Sequence, residues 1–171
     1  VRGSGTGTYV EYCTPLNTYN AFDFSSNRCD DFLLRGSYGT ALGCGLRVGG
    51  GTEVGRIEHV FFSYGPWWED INRQDDGALS AWSNRNAVGY VFGVVSDLSA
   101  LGVCAYGLSA GMQFVAEGEG IPENVRIIRA LLDVPNAAYD LKLDAGNNIA
   151  IIGLSSPSVA GVCLGVGESF G

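Results

Sequence analysis

The sequence has almost no lysine, histidine or methionine. Of its ten basic residues only Lys142 is a lysine, His59 is the sole histidine and Met112 the sole methionine. A serine hydrolase needs a histidine base. The one available sits beside Val60 in the strand-like run RIEHVFFS, and the sequence has no G-x-S-x-G elbow. A structural zinc site recruits close Cys or His pairs, and no C-x-x-C occurs among the five cysteines. Asp144–Asn148 lacks the ligand spacing of an EF-hand loop, so no metal is expected. Basic stripes are missing as well. The net charge of −8 repels a phosphate backbone and argues against nucleic acid as a partner. No apolar run reaches 18 residues, which excludes a helical membrane span.

What is present points to strands. Glycine contributes 26 of 171 residues, alongside many Val, Ile, Tyr and Phe, a mixture that favours short strands and tight turns. Hydrophobic content of 46% against 16% charged residues describes a globular chain, expected to form a single domain over residues 1–171. The start, Val1-Arg2-Gly3-Ser4-Gly5, reads as a mature or trimmed end. The cysteines fit either one or two disulfides in an exported protein or five buried thiols, and the exported reading is preferred.

Along the chain, Thr8–Cys13 alternates as a strand does, and Thr14–Asp31 reads as a loop anchored by Tyr19, Phe22 and Phe24. Arg56–Ser63 reads as one strand. Pro66, followed by Glu69 and Asp70, opens a helix expected to run to Trp82. Val88–Val95 and Val125–Leu132 are strands flanking the acidic turn Glu117-Gly118-Glu119-Gly120. Asp144–Asn148 is a hairpin-type turn. No internal repeat or linker stands out.

One stretch resembles a known family. Phe61-Phe62-Ser63-Tyr64, the helix from Pro66, Gly89-Tyr90-Val91-Phe92 and Ile121-Pro122-Glu123-Asn124-Val125 follow in the order seen in ADP-ribosyltransferase toxins of the pertussis and cholera type. The resemblance covers about Arg56–Asp133. It implies a β-rich α+β fold: two short antiparallel sheets around a cleft, with one or two helices. Composition alone leaves an all-β sandwich or jelly roll as the alternative. The implied activity is transfer of ADP-ribose from NAD, bound as substrate, to a target protein, by a secreted chain that could work with a delivery subunit. Arg35 or Arg2 would grip the diphosphate, Ser63 would order the site, and Tyr64, Trp67 or Trp68 could stack on the nicotinamide. Aligned through the Ile-Pro-Glu-Asn run, the catalytic position falls on Gln113, which carries no charge and would mark an inactive relative. In the shifted frame Glu117 and Glu119 supply an E-x-E pair with Glu119 catalytic. The lysine shortage matches such toxins. The second functional class is a non-enzymatic exported module for ligand binding, adhesion or particle assembly.

Overall fold

The computed structural model describes residues 1–66, 77–134, 139–157 and 164–169. The chain winds in successive coils. The first holds β1 (Gly5–Thr6), β2 (Tyr9–Glu11) and β3 (Thr18–Phe24). The second holds β4 (Cys29–Asp30), β5 (Phe32–Arg35), β6 (Tyr38–Gly39) and β7 (Ala41–Val48). The third holds β8 (Thr52–Glu58), β9 (Phe61–Ser63), the helix α1 (Ala78–Asn86) and β10 (Val88–Phe92). Three shorter circuits follow: β11 (Val95–Tyr106) with β12 (Ala110–Phe114), β13 (Glu123–Asp133) with β14 (Leu141–Ala145), and β15 (Asn147–Ser155) with β16 (Leu164–Ser169).

Each strand pairs with its counterpart one coil away. One sheet runs β3-β7-β10-β12-β14-β16 and the other β2-β5-β8-β11-β13-β15, with β6 and β9 joined to the second. Every ladder between these strands is parallel. The result is a parallel β-solenoid. Tyr9, Leu33, Arg56, Ser99, Arg126 and Ala150 stack in register, so most coils take about 24 residues, within the usual range for solenoid repeats. The third coil is longer because Tyr64–Ala87 is inserted into it.

The core consists of columns of like side chains. Leu34, Ile57, Ala100 and Ile127 stack along the second sheet. Across from them run Phe22–Leu46–Tyr90–Met112–Leu141 and Phe24–Val48–Phe92–Phe114–Leu143. All but Leu143 are buried. The Tyr90 hydroxyl, fully enclosed, donates to the Val60 carbonyl at 2.6 Å, and this partner makes a buried phenol tolerable.

Two columns of left-handed residues bend the second sheet. At the first bend Asp31, Val54, Asp97, Asn124 and Asn148 occupy one register position, each with φ between 50° and 54°. Asp and Asn tolerate that conformation because their short polar side chains bond locally. At the second bend Tyr12, Gly36, His59, Gly102, Arg129 and Gly153 alternate side chain with glycine. A Cβ at Gly36 would lie 2.7 Å from the Tyr12 ring, and one at Gly102 would lie 2.8 Å from His59 Nδ1. Tyr12 and His59 thus fold over the glycine of the next coil.

These facts correct several expectations. Two antiparallel sheets around a cleft, a sandwich and a jelly roll are all overturned, because every inter-strand ladder is parallel and the two sheets belong to one winding chain. Asp144–Asn148 is a corner joining β14 of one sheet to β15 of the other, not a hairpin. Arg56–Ser63 is broken by left-handed His59 into β8 and β9. The stretch read as a loop contains β3, whose polar Asn20 and Asp23 resembled turn residues although Asp23 is buried. Of the helix expected from Pro66 to Trp82, residues 67–76 lie outside the described residues. The described helix α1 starts after Gly77 and ends at Asn86, with the Trp82 indole donating to the Leu42 carbonyl at 2.9 Å. The repeat unseen in sequence is spatial: stacked coils share backbone conformation but few residue identities.

Candidate functional site

The residues implicated by the toxin resemblance fall at different corners of the coil. Glu117 is a structural pin. Its carboxylate accepts from the Gly50 N–H at 3.2 Å and the Val94 N–H at 3.1 Å, and pairs with Arg47 at 3.3 Å. It thereby ties together the turns of successive coils. Charge-assisted bonds of this kind contribute about 2 kcal/mol together once partial exposure is allowed for. Glu117→Ala is expected to lower stability by that amount, read as a reduced urea midpoint; an unchanged midpoint would contradict the assignment. Glu119 is exposed at the tip of the same turn, which closes through Glu117 and Gly120. Gln113 lies on the outer side of β12, half-buried, with its amide donating to the Tyr139 hydroxyl at 2.8 Å.

Arg35 ends β5 and pairs with Glu11 in the coil before it. Arg2 bridges to Asp23, 3.9 Å away, while the backbone of Asp23 bonds Val1 and Gly3. Burial works to raise the Asp23 carboxyl, but the Ser25 hydroxyl and N–H, with Arg2 and Arg47, outweigh it and hold the group below the usual range. Ser63 is buried at the end of β9 and accepts the Gly65 N–H at 2.9 Å. Tyr64 packs on Tyr106, ring centroids 5.9 Å apart. Trp67 and Trp68 lie outside the described residues.

β11 measures the separation. Val94, beside Glu117, precedes its first residue, and Tyr106, beside Tyr64, is its last. At about 3.3 Å per residue, its 12-residue path is roughly 40 Å, and its bends make the end-to-end distance shorter than that. The Glu117–Glu119 turn and the Ser63–Tyr64 corner therefore stand at opposite ends of the second sheet.

The structure does assemble another site, which the sequence did not single out. Along the first bend a groove of about 530 Å³ crosses three coils. Its floor is the left-handed column Asp97, Asn124 and Asn148, and its wall the neighbouring column Ser99, Arg126 and Ala150. The Asn148 amide donates to Asn124 Oδ1 at 2.7 Å. That bond fixes both amides one above the other and leaves the Asn124 NH₂ and the Asn148 carbonyl oxygen available to solvent. A smaller groove of about 300 Å³ lies at the adjoining corner, with Arg28, Glu53, Ser96 and Glu123 on its rim. The available sequence signal was an Asp or Asn recurring at about one coil length, which requires the coil to be recognised first.

Other reactive groups are silenced by burial. Desolvation pushes the Cys44 thiol up to about 12, and desolvation with the Asp133 charge pushes Cys104 to about 11. Cys13, Cys29, Cys44 and Cys104 are free thiols. Among the described residues no group of His, Cys, Asp and Glu is arranged to hold a metal ion, and no helix is long and apolar enough to cross a membrane. Comparison with protein-family models, with curated proteins and with solved structures finds no match to this chain.

Proposed function

We propose that this chain is a non-enzymatic recognition module whose solenoid holds a segment of polysaccharide along the groove over Asp97, Asn124 and Asn148. The observation that carries this reading is the amide stack. Two side-chain amides and a carboxylate repeat at the coil spacing of about 4.8 Å, on a backbone that is itself hydrogen-bonded throughout. Sugar hydroxyls donate and accept at once, and an Asn amide offers both functions in one plane. Because the Asn124–Asn148 pair is ordered before binding, little of its side-chain entropy is lost when a ligand docks. The remaining polar lining suits a hydrated polymer better than an apolar small molecule. Adhesion to a glycan-coated surface is the corresponding biological role.

The test is retention on immobilised polysaccharides and a glycan array. The wild-type chain is expected to bind at least one glycan class. Asn124→Ala, which removes one paired amide at an exposed position, is expected to weaken that binding about fivefold, since an amide hydrogen bond contributes on the order of 1 kcal/mol. A folded wild-type protein that retains no glycan, or an Asn124→Ala variant that binds unchanged, would overturn the proposal.

A further inference from the structure

The groove also carries information about the charge of its ligand, and the following step rests on the polysaccharide reading above. In a solenoid the nearest neighbours of an outward side chain are the residues in register one coil above and below. Two residues along from Arg56, the column Glu11–Arg35–Glu58 alternates sign, and Arg35 finds Glu11. Arg28 is likewise satisfied by Glu53, and Arg47 by Glu117. The column that forms the groove wall, continued one coil beyond the groove lining to Arg56, is different. Arg56 is flanked by Leu33 and Ser99, and Arg126 by Ser99 and Ala150. Among the described residues neither arginine makes an ion pair. Both are exposed. In a chain of net charge −8, with 18 acidic residues at hand, two guanidinium groups in one column face solvent uncompensated.

Their spacing and what lies between them specify a pattern. Arg56 and Arg126 are two coils apart, about 10 Å, which is roughly the advance of two sugar rings along an extended chain. The coil between them presents Ser99 and, at the bend, the carboxylate of Asp97. An acidic group would be attracted at the outer two coils and repelled at the middle one. The geometry points to an acidic polysaccharide with carboxylates on alternate sugars, one held by Arg126, the next by Arg56, and a neutral sugar over Ser99 and Asp97. Guanidinium groups suit this role because they bind carboxylates in a bidentate fashion and are weakly hydrated.

The experiment is titration calorimetry with three probes: a polysaccharide in which a uronate alternates with a neutral sugar, its carboxyl-reduced form, and a homopolymer of uronate. The alternating polymer is expected to bind at least tenfold more tightly than its reduced form, and the advantage should shrink as salt is raised. Arg126→Gln should reduce the difference between the two, and Arg126→Gln combined with Arg56→Gln should abolish it. Asp97→Asn should strengthen binding of the homopolymer. Equal affinity for the alternating polymer and its reduced form, or a preference undiminished when Arg56 and Arg126 are both replaced by Gln, would overturn the alternating-charge inference while leaving glycan recognition intact. Failure of all three probes, together with an empty glycan array, would remove both.

Discussion

Phe92→Ala is expected to destabilise the fold by about 4 kcal/mol, the largest effect of any single truncation considered. Phe92 is fully buried at the centre of the first sheet's inner column. Its ring lies 5.1 Å from Phe114 in the next coil and 6.4 Å from Tyr90 in its own strand. Removing it deletes the apolar burial and leaves a cavity between coils whose backbones are held apart by their own ladders, so the void cannot collapse. Phe92→Leu, which keeps most of the volume, should cost markedly less. Urea unfolding of the two variants checks the point. Equal midpoints for Phe92→Ala and the wild type would show that the ring column does not hold the coils together.

Gly89→Val is expected to cost about 3 kcal/mol by the opposite mechanism, overpacking. Gly45, Gly89 and Gly111 form a column at the start of the first sheet. A Cβ at Gly89 would lie 2.6 Å from the Gly111 carbonyl oxygen and 2.7 Å from Ala105 Cβ. Neither obstacle is the tip of a side chain that can swing aside; one is backbone and the other is fixed directly to it. The strand must shift, and the parallel ladders to β7 and β12 shift with it. A depressed midpoint with native-like circular dichroism is the expected result. An unchanged midpoint would mean that the two walls of the coil separate more easily than their hydrogen bonding suggests.

Much of the local structure was legible in the sequence. The β-rich character followed from glycine with β-branched and aromatic residues, and Val125–Leu132 lies within β13. The tight acidic turn after Phe114 is present as read. The winding was not legible, for physical reasons. A solenoid is specified by backbone stacking and by which positions face inward, so Leu33, Arg56 and Ser99 can share one register position without resembling one another. The insertion Tyr64–Ala87 also breaks the spacing where a repeat would have been sought. The groove was hidden for a related reason. Asn124, in the Ile-Pro-Glu-Asn run, read as part of a toxin-like motif, and Asn148 as part of a hairpin. In the fold they are successive rungs of one ladder, and the proline run is the approach to a bend.

The alternation at the second bend constrains how such a chain can change length. Tyr12 and His59 each lie over a glycine of the following coil, where a Cβ at Gly36 or Gly102 would be crowded to 2.7 or 2.8 Å, whereas a Cβ at Gly153 would stand 3.8 Å from the Arg129 backbone. The structural repeat is one coil, but the packing repeat at this corner is two. Loss of the coil that holds Gly36 would set Tyr12 directly against His59 at this crowded position. Removing the Tyr12 and Gly36 coils together would therefore strain this corner less than removing the Gly36 coil alone.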